Sequence, residues 1–251
     1  MIIRFLLAAI VAGLLSGVLM TGAQELKVTP LILHAEQYEN TGGETEHSTV
    51  APLPGFYLLA EQFSPVAAAY AHGDEAHGDE GETGGILFGL DRFGGTLMAN
   101  LVTGAGFGLI LLAASLLTGM EITLRNGVLW GAAGWLAFQF FPAIGLPPEL
   151  PGFPAADLLE RQSWWLATVV LSAIGLYFLV LRDAAWAKAL GVVLLAAPHL
   201  YGAPQPTDIT SDVPALLGAE FAVAALATTA FFWVVLGMLL GGAMERYGRT
   251  Q

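Results

Sequence analysis

A handful of side chains in this sequence have the chemistry to hold a divalent cation, and they fall into three groups. His72 and His77 lie in a tandem repeat, Ala-His-Gly-Asp-Glu, that fills 71–80 as "AHGDEAHGDE". An imidazole next to two carboxylates, written twice, offers ligands suited to divalent transition metals. On a helix the two imidazoles would stand about 140° apart, and Gly73 and Gly78 disfavour a helix. Only a loop wrapped around an ion would bring them together, and such a loop gathers divalent cations with little selectivity. The competing reading is a solvated acidic linker. In the second group, "LHAEQYE", His34 and Glu36 sit two residues apart and point to different sides of a helix. The third group is Asn100, His199 and Glu220, which lie within apolar blocks. Polar side chains are costly there and mark a cavity or a partner. Amide, imidazole and carboxylate at similar depth would form a vestibule for a partly dehydrated ion. The plainer readings are an acid balancing a helix dipole for Glu220 and an interfacial cap for His199.

The elements that position these groups are membrane-spanning helices. The chain of 251 residues is 55% hydrophobic and 12% charged, half the charge of roughly 25% usual for soluble domains. Its apolar residues form blocks at 5–23, 96–119, 127–144, 163–181, 186–200 and 215–243, most of them near the ~20 residues that a transmembrane helix needs. The blocks are continuous rather than alternating, which excludes a transmembrane β-barrel. The expected fold is therefore all-α: a polytopic transmembrane bundle of about six spans, a single membrane domain over 1–251. The extramembrane His- and acid-rich segment 24–95 lies inside it. The first block also resembles a signal peptide, with "TGA" before Gln24 as the cleavage site; its length favours a retained helix. Within 24–95, Leu31, Ala35 and Tyr38 recur at helical spacing and predict a short amphipathic helix. Gly13/Gly17 and Gly237/Gly241 have the spacing of close helix contacts. Gly104, Gly106 and Gly108 lie inside a span and suit packing rather than phosphate binding. Asp157 and Arg161 are spaced to pair on a helix, and Trp164 and Trp165 follow where an interfacial aromatic belt is expected.

Charge sets the orientation. With the N-terminus cytoplasmic, Arg4, Arg125, Arg182, Lys188, Arg246 and Arg249 fall inside, against Lys27, Arg92 and Arg161 outside, as the positive-inside rule requires. Both termini are then cytoplasmic and the large loop is outside. Of the 21 acidic residues only Glu121, Asp183 and Glu245 fall on the cytoplasmic side, and all five histidines fall outside. A net charge of −12 without a basic patch excludes nucleic acid as a partner. The absence of cysteine excludes disulfides and thiolate metal sites. No Walker A, HExxH or GxSxG motif is present, so no enzyme is expected; a lipid-acting enzyme using Glu220 and His199 as acid and base has no motif behind it.

The stretch "FPAIGLPPELPGFPAADLLERQSWWLAT", then "PHLYGAPQP" and an "AEF" in the last block, resembles the CbtA family, bacterial membrane proteins regarded as cobalt transporter subunits. "PLILHAEQYE" and "NLVTGAGFGLIL" extend the resemblance to nearly the whole chain. Its motif positions here are Glu36, Asn100, Glu149, Asp157, Arg161, Gln162, Trp164, Trp165, Pro198, His199 and Glu220. The resemblance implies an inner-membrane permease subunit for cobalt uptake that supplies cobalamin synthesis. It implies Co²⁺ as cargo rather than as a tightly bound cofactor. It also implies a small one-helix, His-bearing companion of the CbtB type. The chain departs from the pattern before the second span, where "GETGGILFGLDRF" carries Asp91-Arg92. Nickel as cargo, or a non-transporting metal-binding sensor or assembly subunit, are the alternatives; cobalt and nickel are neighbours in the affinity series and ligand type alone does not separate them.

Overall fold

A computed structural model describes residues 2–39 and 90–248. The repeat bearing His72 and His77, and His47, lie outside the described residues. The described chain forms α1 (Ile2–Lys27), α2 (Thr29–Glu39), α3 (Arg92–Thr118), α4 (Gly127–Gly145), α5 (Leu158–Leu181), α6 (Ala185–Tyr201) and α7 (Ala215–Gly248). It contains no strand among the described residues. Helices α1, α3, α4, α5 and α7 are long and apolar enough to cross a membrane; α6 is apolar but only 17 residues long. The fold is an all-α polytopic membrane bundle.

Local chemistry sets the helix ends. Asp91 caps α3, its carboxylate accepting from Gly94 N at 2.7 Å, and Gly119 closes α3 in the left-handed region at φ 68°, where glycine carries no Cβ penalty. Asp91-Arg92 thus starts the helix, and Arg92 also reaches Glu36 on α2 at 2.9 Å. Asp157 caps α5 by accepting from Leu159 N and Glu160 N at 3.0 and 3.2 Å. The expected Asp157–Arg161 pair is therefore not formed. A capping carboxylate is folded back onto the first turn, and Arg161 instead meets Glu149 at 3.3 Å.

The spans pack in two groups. In the first, α1 is central. It runs antiparallel to α3, with Ala9 opposite Gly108, Gly13 opposite Gly104 and Gly17 opposite Asn100; a Cβ on Gly17 would stand 2.8 Å from the Asn100 carbonyl carbon. Helix α7 lies antiparallel to α4, with Gly237 against Gly127 and Gly241 against Thr123. Both glycine pairs expected to make close contacts do so, because without side chains the backbones can touch. The second group is the α5–α6 hairpin, joined at Gly175 and Gly191. It meets the first group along the end of α4, where Phe138 and Trp165 rings lie 6.4 Å apart and Gly145 faces Trp164.

Call distal the end where α1 leaves, α3, α5 and α7 begin, and α4 and α6 finish. Here α2 lays Ala35, fully buried, with Leu31 and Tyr38 onto Val28, Leu150, Val213, Leu217 and Phe221. The amphipathic spacing read in the sequence is this contact. The proximal end has the turns 119–126 and 182–184. There Glu245 near the end of α7 accepts from Leu124 N at 2.9 Å.

Candidate functional site

The centre of the first helix group is polar at one level, and a proline is the local cause. Pro142 has no backbone N–H, and its ring conflicts with the carbonyl four residues earlier. The ladder of α4 widens into a π turn over Leu136–Phe140, with Phe141 N–H bonding Leu136 O. π turns of this kind are frequent at functional sites. This one buries Gln139, which is 9% exposed. The Gln139 side chain makes no hydrogen bond among the described residues and lines a small internal cavity with Met20, Asn100, Thr103 and Thr229. The cavity offers about 10 Å³, the room that one water-sized particle needs.

The other polar walls are held by neighbours. Asn100, 8% exposed, donates from Nδ2 to Thr21 Oγ1 at 3.0 Å and to Gln24 Oε1 at 2.6 Å on α1. Its amide oxygen accepts no hydrogen bond among the described residues. Thr229 Oγ1 donates to Leu226 O at 3.0 Å and accepts from Trp135 Nε1 at 3.3 Å. On the proximal side the cavity is floored by aromatic rings. Phe107 lies 4.5 Å from Trp233 and 6.1 Å from Phe232, and Phe138 lies 5.0 Å from Phe107 and 5.5 Å from Trp233.

The residues singled out in the sequence occupy separate settings. Asn100 is on the cavity wall. Glu220 is exposed and lines an apolar groove between α1 and α7, with Lys27 and Ala23. His199 packs edge-on against Trp164 at 5.9 Å, its Nε2 buried without a hydrogen-bond partner. Trp164 donates from Nε1 to Pro198 O at 3.3 Å. The three side chains do not share one pocket. Glu36 is engaged by Arg92, and His34 is exposed beside Tyr38, ring centres 5.7 Å apart. Among the described residues no three His, Asp or Glu converge tightly enough to hold a metal ion. Glu149, in the loop before α5, has its carboxyl pushed above the ordinary range by burial, with the Arg161 guanidinium pulling the other way.

Sequence reasoning passed over Gln139, Thr103 and Thr229. One signal was available: an amide three residues before a proline, inside an apolar block.

Long apolar helices around a buried polar level, with acidic residues massed at one end, define a multi-pass α-helical membrane protein. The family described as "Probable cobalt transporter subunit (CbtA)" matches residues 2–245, nearly the full chain, and the chain belongs to that family. No curated protein and no solved structure matches it.

Proposed function

We propose that this chain is the permease subunit of a divalent-cation uptake system in a bacterial inner membrane, with Co²⁺ as cargo. Both termini are cytoplasmic and the distal end faces outward. The observation that carries this reading is the family match over residues 2–245, on a chain with five helices long and apolar enough to span.

The distribution of charge supports the direction of transport. Among the described residues the distal end holds Glu25, Glu36, Asp91, Glu149, Asp157, Glu160, Asp208, Asp212 and Glu220, while the proximal end holds Glu121, Asp183 and Glu245. A face of one sign concentrates counter-ions and raises their on-rate. His72 and His77 with their flanking acids, and His34 with Glu36, gather the ion at this face. His199 and Glu220 receive it at the distal helix ends, and Asn100 stands deeper on the path. The membrane potential then contributes about 4.6 kcal/mol per 100 mV for a doubly charged ion moving inward.

A companion with a single His-bearing helix, of the CbtB type, fits the family description of the chain as a subunit. The groove between α1 and α7 presents Glu220 and Lys27 on a largely apolar surface, and a His-bearing helix packed there would shield the carboxylate from lipid while leaving its distal side open to the ion. No catalytic step is assigned to the chain.

The test is cellular cobalt and nickel content by elemental mass spectrometry at low external metal. Cells express the full chain, a chain lacking 71–81, or His199→Ala with Glu220→Ala. Cobalt rises with the full chain, nickel rises less, and both changes lower the gain. A full chain present in the membrane with its companion and no gain of either metal ends the permease reading.

A further inference from the structure

The internal cavity assigns a place to the step that a cation finds hardest in an apolar bundle, the loss of its water. Resting on the permease reading above, we infer that the cavity walled by Asn100, Thr103, Gln139 and Thr229 is where the cargo ion sheds part of its shell, and that Phe107 and Trp233 are the floor it has to pass.

Four observations converge. The polar groups come from three different helices at one level, and Asn100, Gln139 and Thr229 are each more than nine-tenths buried. Buried polar groups in a membrane bundle normally satisfy one another. Here the Gln139 side chain makes no hydrogen bond among the described residues and Trp233 Nε1 is buried without a partner, and α4 departs from regular geometry over Leu136–Phe140 beside them. The Asn100 amide is fixed by two bonds from its nitrogen to α1, which leaves its oxygen without a donor. An amide oxygen of this kind replaces a water oxygen around a cation.

The size and charge of the cavity fit transit rather than storage. About 10 Å³ holds one water-sized particle, so a fully hydrated ion does not fit. The walls are neutral. A carboxylate here would hold a divalent ion tightly, whereas conduction needs binding weak enough for the ion to leave. Neutral amide and hydroxyl oxygens do not separate neighbours in the affinity series, so the cavity treats cobalt and nickel alike. The floor completes the arrangement: Trp233 is fully buried and Phe107 3% exposed, with ring centres 4.5 Å apart. A ring-lined constriction below a polar level blocks ions until it opens, and its polar atom, Trp233 Nε1, is buried without a hydrogen-bond partner.

The experiment measures uptake of radioactive cobalt against cobalt concentration in cells expressing the full chain, Gln139→Leu or Gln139→Glu, with each protein quantified in the membrane. Gln139→Leu removes an amide that bonds to nothing and keeps the volume, so the protein accumulates normally while maximal uptake falls by about tenfold or more, the scale of a lost polar contact to a charge. Gln139→Glu lowers both the half-saturating concentration and the maximal rate, because the ion enters easily and leaves slowly. A purely architectural Gln139 does not produce that split, so the second variant decides the matter if the first fails to accumulate. Wild-type rates and half-saturation in both variants overturn the inference and leave the permease reading standing. A wild-type chain that takes up no cobalt overturns the permease reading, and this one with it.

Discussion

The α1–α3 seam and the α5–α6 seam are both built on glycine, and they are not equally close. Across α1–α3, Gly13, Gly17, Gly104 and Gly108 bring backbone onto backbone, and a Cβ on Gly13 would meet the Gly104 carbonyl. Across α5–α6, a Cβ on Gly175 would stand 3.0 Å from both the Gly191 carbonyl and the Leu195 side chain. Without a hydrophobic force between helices in lipid, association rests on packing and interhelical polar contacts. The first seam has both, since Asn100 is bonded across it to Thr21 and Gln24. The closest backbone approaches are therefore beside the cavity, while the two helices of the hairpin that carries His199 and Arg161 pack less closely on each other.

The widest separation between the two seams is expected from adding side chains. Gly104→Val drives methyl groups into the α1 backbone, which no rotamer relieves. The protein is expected to lose its monodisperse size-exclusion peak in detergent. Gly175→Ala meets the Gly191 carbonyl and the Leu195 side chain, both at 3.0 Å, so the two helices have to part by a few tenths of an ångström, an overpacking that costs about 1–3 kcal/mol. A modest drop in melting temperature is expected. Equal losses from the two substitutions would mean that the seams are equivalent and that closeness of backbone does not rank them.

Breaking the ion pair at the start of the hairpin comes next. Arg161 and Glu149 side chains are 24% and 19% exposed, so removing one partner leaves a charge that water only partly reaches. Arg161→Ala is expected to cost about 1–2 kcal/mol, below the 3–5 of a fully buried pair because solvent screens part of it. The Glu149 carboxyl adds a pH signature. Burial raises it above its ordinary 4.5, so its protonated form is the one favoured by the fold. Its contribution to stability is complete below about pH 4.5 and is lost as pH climbs through the higher value it has in the protein. Melting curves from acid to neutral pH should slope downward over that window in the wild type and more weakly in Glu149→Gln. An unchanged slope in the variant would assign the pH dependence to other carboxyls.

The tight seam was readable in advance and the cavity was not, for physical reasons. Glycines at fixed spacing in an apolar block have few uses besides close packing, so Gly13/Gly17 and Gly237/Gly241 announced their contacts. The periodicity of Leu31, Ala35 and Tyr38 announced α2 in the same way. The π turn lies in "LAFQF" followed by Phe-Pro, a run whose hydropathy is that of any span. Pro142 signals that the ladder is disturbed there, but whether it widens into a π turn or kinks, and where Gln139 then points, is not ranked by spacing. Asp157 had two local partners to choose from, the backbone of the first turn and Arg161, and spacing alone did not rank them. The vestibule joining Asn100, His199 and Glu220 was a matter of depth along each helix. Depth leaves rotation open, and rotation is what sends Glu220 to the α1–α7 groove and His199 to Trp164.

The smallest effect is expected at the distal rim, where Arg92 meets Glu36 at 2.9 Å with side chains 40% and 32% exposed. Exposed pairs of this kind are worth about 0–1 kcal/mol, and salt screens them further. Glu36→Gln should therefore lower the melting temperature barely at all, and the small drop should vanish at high salt. Its effect on cobalt uptake works through a different term. The substitution removes a negative charge and leaves Arg92 uncompensated, so the rim becomes less attractive to a divalent cation. The half-saturating concentration is then expected to rise slightly at low salt while the maximal rate holds, because steering changes arrival and not passage. A fall in the maximal rate instead would mean that Glu36 touches the ion on its way in. The rim would then belong to the path as closely as the cavity does.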